Sequence, residues 1–253
     1  MTLDLVILTI AALTFFIGGL AKGAIGFGLP MLAIPMLTAV GSLPLALSIA
    51  VPPAIATNLW QFWKFREYRK ITFLRTFLVT AALGLIAGTF ILKSIENAYL
   101  EIMLGCLVLI YLFKPKGARE AMSAPQLTRL APVLGTLAGL VHGSIGLSGL
   151  VAPPFFLAAG LSRSAFIFAT SALFIVMAAL HIPSLALAGL YEPSALLIGL
   201  IVILPAFAGV WIGGLLGERL KASTFPTLVK TMLILAATLS IWGGLEFFYS
   251  SSI

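Results

Sequence analysis

The stretch GLAKGAIGFGLPMLAIP, from Gly19 to Pro35, decides how this chain folds. It is apolar enough to lie in a lipid bilayer, yet Gly23, Gly26 and Gly28 stand close together and two prolines follow them. Glycine and proline both weaken a straight helix. In lipid, backbone groups freed by a helix break are tolerated only where they face protein or line a water-filled cavity. The stretch therefore predicts a broken helix and, at the break, a binding site.

The same pattern occurs twice. A shift of 120 positions lays GLVHGSIGLS, from Gly139 to Ser148, on the first ten residues of the opening stretch, and two prolines again follow. A weaker echo, at a shift of 121, pairs Ala87 and Gly88 with Ala208 and Gly209. Corresponding interrupted segments in two halves are typical of the midplane site of secondary transporters. The alternative is that these glycines only allow helices to pack closely.

The composition indicates an integral membrane protein. Of 253 residues, 61% are hydrophobic and 9% charged, with a mean hydropathy of +1.16; soluble domains carry about 25% charged residues. The net charge of +7 lies mostly in short loops, which fits membrane topology and anionic lipid better than nucleic acid. Cys106 is the only cysteine, so no cysteine metal cluster is possible, and no metal or cofactor is predicted.

We predict an all-α polytopic membrane protein with two homologous repeats, each opening with a broken or re-entrant helical segment. The N-terminus has no basic region before its apolar run, so it is interpreted as a retained span and not a signal peptide. The predicted divisions are a first repeat at 1–113, a cytoplasmic linker at 114–129 and a second repeat at 130–253. Predicted apolar segments are 3–37, 43–63, 74–92 and 98–113, then 130–159, 164–187, 194–216 and 225–247.

Loop charges predict that the repeats are inverted. Lysine and arginine concentrate in cytoplasmic loops, and the loops at 64–75 and 114–129 are the richest in them. In the second half, the counterpart of the first basic loop, near 188–193, has neither residue, whereas the link with Arg219 and Lys221 has both. The excess of lysine and arginine thus lies in non-corresponding loops of the two halves, as expected if the halves have opposite orientations in the membrane. Four full spans per half in parallel repeats remain the alternative.

The duplicated glycine stretch and the later Ala-Gly pairs resemble the sulfite exporter TauE/SafE family of membrane transporters over nearly the whole chain. The resemblance implies export or uptake of small anions across a bacterial plasma membrane. Sulfur oxoanions and organosulfonates are the substrates it implies.

Backbone amides at the two breaks are the first candidate ligands for an anion. Free amides and the helix dipole make a helix N-terminus attractive to negative charge. The amides from Gly26 to Gly28 and from Gly146 to Gly149 are therefore predicted to bind the anion, with Ser144 and Ser148 as hydroxyl donors. The alternative role of these residues is helix packing.

Polar side chains inside the apolar segments complete the predicted site. Lys22 and His142 occupy the same position in the two repeats, and basic groups inside a membrane are costly unless they function. The alternatives are that Lys22 reaches an interface and that His142 is a bonded core residue. Histidine can also relay protons, which leaves coupling to protons open. The further predicted lining residues, which could instead bond neighbouring helices, are Asn58, Gln61, Thr170, Ser171 and His181.

The sequence bears on three classes of function. The predicted class is a secondary transporter that moves a small anion by alternating access, coupled to protons or to the membrane potential. The alternative is an anion channel, which would use the same breaks without alternation. An enzyme is not expected because the sequence has no GxSxG or HExxH motif, and the absence of a phosphate-binding loop argues against an ATP-driven pump. The oligomeric state is left open.

Overall fold

Helices form all the regular structure in the part of the chain that the computed structural model describes. That part comprises residues 5–38, 40, 42–91, 98–99, 102, 106, 109, 122–146, 148–193, 195–221 and 224–250. Five helices in it are long and apolar enough to cross a membrane. The predicted all-α membrane fold is thereby confirmed, whereas the segment predicted at 98–113 lies largely outside the described residues.

Between residues 5 and 91, the described part of the chain contains four helices and one short 3-10 turn. The apolar runs predicted at 43–63 and 74–92 are confirmed as single helices. These elements are α1 (Leu5–Ile25), α2 (Leu29–Thr38), α3 (Leu43–Lys64), the 3-10 turn Arg66–Tyr68 and α4 (Leu74–Ile91).

Between residues 122 and 250, the described residues form six helices and another 3-10 turn. The span predicted at 194–216 is divided at Val202, three residues before a proline whose missing N–H removes one helical hydrogen bond. The elements are α5 (Ala124–Ile145), the 3-10 turn Ser148–Leu150, α6 (Ala152–Ala158), α7 (Arg163–Ala188), α8 (Ala195–Ile201), α9 (Ile203–Glu218) and α10 (Thr224–Ser250).

Both glycine stretches are broken where the sequence predicts. Gly26 and Gly28 have φ angles of 95° and 123°, and Gly146 has a φ of 74°. Side chains with a Cβ avoid this left-handed region, so glycine is what lets the chain leave the helix at these points. The first break separates α1 from α2, and the second ends α5, where the Gly146 amide donates to the His142 carbonyl at 2.8 Å.

Helix α1 of the first half packs against α9 of the second. A Cβ placed on Gly19 would lie 2.6 Å from the Ala206 carbonyl oxygen, and one on Gly23 would strike the Val210 carbonyl oxygen. The backbones therefore touch, as small residues allow in membrane helix pairs. Contacts advance along both helices in the same direction, so α1 and α9 run parallel.

Helix α5 packs against α4 in the corresponding way. A Cβ on Gly139 would lie 2.7 Å from the Leu85 amide nitrogen, and one on Gly143 would lie 2.7 Å from the Thr89 amide nitrogen. These two helices also run parallel. The first helix of each half thus packs on a later helix of the other half.

Helices α3 and α7 cross the centre of the bundle in opposite directions. Phe62 stacks on Phe168 with ring centroids 4.9 Å apart, whereas Val51 clusters with Ala178. Contacts made by earlier residues of α3 thus involve later residues of α7, so the two helices are antiparallel. The broken segments pack against these two helices.

Basic loop residues collect at one end of the bundle, which we call the basic end. There the C-termini of α1, α3 and α9 meet the N-terminus of α7: Arg163 donates to the Ala24 carbonyl at 2.8 Å, and Lys64 pairs with Glu218 at 2.7 Å. At the opposite end, the Ser42 hydroxyl donates to Glu192 at 3.0 Å. The basic residues at or next to the basic end are Lys64, Arg66, Arg69, Lys70, Arg75, Arg163, Arg219 and Lys221.

Candidate functional site

A buried lysine marks the first half of the candidate site. Lys22, in the last turn of α1, is 2% exposed and donates through Nζ to Asn58 Oδ1 on α3. Gln61 lies one turn further along α3 and donates through Nε2 to the Lys22 carbonyl at 3.2 Å. The i to i+3 spacing of Asn58 and Gln61 places both on the helix face that meets the end of α1.

Helix α7 completes this first network. The Ser171 hydroxyl donates to Gln61 Oε1 at 3.3 Å, and the Thr170 hydroxyl donates to the Gly26 carbonyl at 3.0 Å. The same hydroxyl oxygen lies 2.9 and 3.0 Å from the Phe166 and Ile167 carbonyls of α7, so its one hydrogen is shared between the broken segment and the helix. The polar residues predicted around Lys22 are therefore in contact with one another.

Two histidines mark the other half of the site. His142 Nδ1 and the Ser148 hydroxyl lie 2.9 Å apart across the second break. The ring of His181, on α7, lies 5.0 Å from that of His142, centroid to centroid. Nε2 of His181 is buried and has no hydrogen-bond partner in the described part of the chain. Such an atom is uncommon in folded proteins and marks a place where a ligand or water binds.

Phe174 joins the two halves of the site, and the sequence did not single it out. Its ring centroid lies 5.8 Å from Lys22 Nζ on one side and 6.2 Å from the ring centroid of His142 on the other. The one available signal was spacing, since Phe174 follows Thr170 and Ser171 by one helical turn and shares their face of α7.

A cavity lies beside the second break, between α2, α3, α5 and α7. It is partly open to the outside and has a volume of about 20 Å³, which is room for about one water molecule. The lining is apolar apart from two imidazoles and the backbone of Gly146, so a larger ligand would enter only if the helices moved apart. The lining residues are Pro30, Ile34, Leu47, Ala50, Val51, Ala54, His142, Gly146, Phe174, Ala178 and His181.

Backbone amides are left over at each break. Among the described residues, no hydrogen bond to a carbonyl is found for the amides of Phe27, Gly28 and Leu29, or for those of Ser148 and Gly149. Phe27, Gly28, Ser148 and Gly149 are among the amides predicted as anion ligands. The prediction is wrong for the Gly26 and Gly146 amides, which donate to the Lys22 and His142 carbonyls at 2.7 and 2.8 Å as the last bonds of their helices. Free amides at the start of a helix favour negative charge.

The predicted residues fall into two contact groups and two outliers. Around Lys22 are Gly26, Asn58, Gln61, Thr170 and Ser171; around the cavity are His142, Gly146, Ser148 and His181. Ser144 turns back to its own helix, where its hydroxyl donates to the Leu140 carbonyl at 2.9 Å, and Gly28 is not among the cavity-lining residues.

Arg163 holds the end of α1 and was given no role from the sequence. Its guanidinium donates through Nε to the Ala24 carbonyl at 2.8 Å and through Nη2 to the Gly23 carbonyl at 3.1 Å. The last carbonyls of a helix have no partner within it and carry partial negative charge, so a cation there is stabilising. A contact between residues so far apart in sequence leaves no local pattern that could predict it.

Membrane-length helices, with two glycine breaks beside a buried lysine and a buried histidine, define a multi-pass membrane protein. The chain belongs to the sulfite exporter TauE/SafE family, which matches residues 10–239. It is therefore a membrane transporter, and its family implies sulfite or related anions as cargo. Comparison with curated proteins gives no match, and comparison with solved structures gives none either.

Proposed function

We propose that the chain is a secondary transporter that moves a small sulfur oxoanion or organosulfonate across the bacterial plasma membrane by alternating access. The observation that carries the proposal is the burial of Lys22 and His142 at corresponding positions beside the two helix breaks, with Phe174 between Lys22 and a cavity that the second break lines. Ionisable groups inside a membrane protein are costly and mark transport pathways. A site near the middle of the bundle can be exposed to either side in turn.

We further propose that the two halves are inverted repeats. Their helix directions support this, because α3 and its counterpart α7 run antiparallel. Contacts also exchange partners under the same shift of about 120 residues. A Cβ on Gly26 would lie 2.8 Å from Ile167 Cγ1, and one on Gly146 would strike the side chain of Leu47, the residue corresponding to Ile167. The parallel pairs α1 with α9 and α5 with α4 exchange in the same manner.

In this proposal the free amides of the two breaks bind the anion, and Lys22 supplies the compensating charge from behind Phe174. The amides supply hydrogen-bond donors without a charge of their own. Both interactions become stronger where water is excluded. The apolar walls of the cavity would face the carbon chain of a sulfonate once the helices part to admit it.

Contacts at the two ends are the proposed gates. At the basic end, Lys64 with Glu218 and Arg163 with the α1 carbonyls join four helix termini. At the other end, Ser42 and Glu192 join α3 to the link after α7. Alternating access would require the contacts at one end to break while the contacts at the other end remain formed. By the loop-charge rule, the basic end faces the cytoplasm.

The test is counterflow in proteoliposomes. Vesicles containing the purified chain and loaded with unlabelled sulfite or methanesulfonate should take up the labelled anion transiently, at a rate that saturates. Saturable counterflow is the behaviour of a carrier that exposes its site to one side at a time, whereas single-channel currents without counterflow would support the anion channel. Absence of either with sulfite, thiosulfate, sulfate or sulfonates would refute the proposed cargo.

A further inference from the structure

Corresponding positions of the two halves are bonded differently. Both polar atoms of the Gln61 side chain form hydrogen bonds: Nε2 donates to the Lys22 carbonyl, and Oε1 accepts from the Ser171 hydroxyl. Its counterpart after a shift of 120 residues is His181, whose Nε2 is buried without a partner in the part of the chain that the structure describes. Buried polar atoms are nearly always paired, so this nitrogen is available to a species that enters the cavity.

The surroundings of His181 suit a proton-binding role. His142 lies across the cavity at 5.0 Å between ring centroids, and its Nδ1 is held by the Ser148 hydroxyl. The His142 ring is thus held by Ser148, whereas Nε2 of His181 remains free. Imidazole is the side chain that gains and loses a proton near neutral pH.

Few other ionisable groups face this pair. Lys22 on α1 lies behind Phe174, and the α2 and α3 residues that line the cavity are all apolar. Helix α4, which also packs on α7, has Arg75 as its ionisable residue, in its first turn and exposed. On α5 and α7 the remaining ionisable residues are Arg129 and Arg163, both in the half of the helix at the basic end.

We propose that His142 and His181 form the proton site of the transporter, in which Nε2 of His181 takes up one proton with each anion that enters. The inference rests on the proposed anion transport. The proton comes from water on the open side, forms an N–H bond at Nε2, and returns to water on the other side, which restores the neutral imidazole. Imidazolium and anion attract each other in a cavity of low dielectric constant, so each raises the affinity for the other. Proton and anion therefore move in the same direction.

The experiment compares the wild-type chain with His181→Gln in proteoliposomes. Glutamine is the residue at the corresponding position of the first half, and it cannot titrate. Methanesulfonate and thiosulfate are the probes, because their charges do not change near neutral pH and any proton that moves with them is bound by the protein. The control is Ser184→Ala, which changes another buried residue of α7 that does not line the cavity.

In the wild type, an outside pH one unit below the inside should raise the methanesulfonate accumulation ratio to about tenfold for one proton per anion. A pH-sensitive dye inside the vesicles should report acidification as the anion enters. His181→Gln should lose both the accumulation and the acidification, and its half-saturation concentration for counterflow should rise because no imidazolium attracts the anion. Ser184→Ala should behave as wild type.

Several results would overturn the proposal. Wild-type counterflow without acidification would refute the proton site and leave the proposed transport intact, whereas absence of counterflow with any probe would refute the transport itself. Accumulation by His181→Gln equal to that of wild type would show that the proton binds elsewhere. Loss of counterflow together with accumulation, in a variant with a wild-type elution profile and melting temperature, would show that His181 binds the anion directly.

Discussion

Replacing Lys22 by methionine should weaken anion binding without unfolding the protein. The lysine is 2% exposed, and its Nζ lies 5.8 Å from the centroid of Phe174, whose other side faces His142 and the cavity. An anion beyond the ring would therefore lie about 9 to 11 Å from the ammonium, where a unit charge contributes about 1.5 to 2 kcal/mol at an effective dielectric constant of about 20. Affinity should fall by about 10- to 25-fold, since each factor of ten is about 1.4 kcal/mol.

The assay is titration calorimetry of methanesulfonate and sulfite with purified protein, supported by the half-saturation concentration for counterflow. Lys70→Met is the matched control, because it removes the same charge from an exposed position of the loop between α3 and α4 that takes part in neither proposed gate. An exposed surface charge contributes at most about 1 kcal/mol to stability, and Lys70 lies outside the proposed anion site. An Lys22→Met protein of wild-type melting temperature whose affinity stays within about threefold of wild type would refute a role for this charge.

Other expectations concern the breaks and the orientation. Gly26→Ala should lower stability by at least about 1 to 2 kcal/mol and slow transport, since its φ is 95° and the new Cβ would lie 2.8 Å from Ile167. Gly189→Ala, with a φ of 71° but open space around it, should show only the backbone strain in a thermal melt. In a chain without other cysteines, Arg69→Cys should react with a membrane-impermeant maleimide only after cells are permeabilised, whereas Pro193→Cys should react in intact cells. Labelling of both positions from the same side would contradict the inverted arrangement.

Local chemistry explains what could be predicted from the sequence. The breaks were visible because glycine is the residue that tolerates the φ values found at Gly26 and Gly146. Span positions followed from hydropathy, since a membrane helix needs about 20 apolar residues in a row. Lys22 and His142 stood out because ionisable side chains are rare in such segments.

Long-range contacts explain what could not be predicted. Phe174 is one apolar residue among many in α7, and its place between Lys22 and His142 depends on how α1, α5 and α7 meet. The bonds from Arg163 to the end of α1 likewise connect residues 139 and 140 positions apart. The open nitrogen of His181 differs from the bonded amide of Gln61 only through tertiary packing. Such features depend on the assembled bundle and not on any local pattern.

The packing of α1 on α9 has a consequence for how the chain is made. The glycine face of α1 packs against the backbone at Ala206 and Val210, which the ribosome adds long after α1. Until those residues are made, α1, with Lys22 in its last turn, lacks this packing partner. The last third of the chain thus determines when the transporter becomes a finished molecule, and truncated products should be targets for membrane quality control.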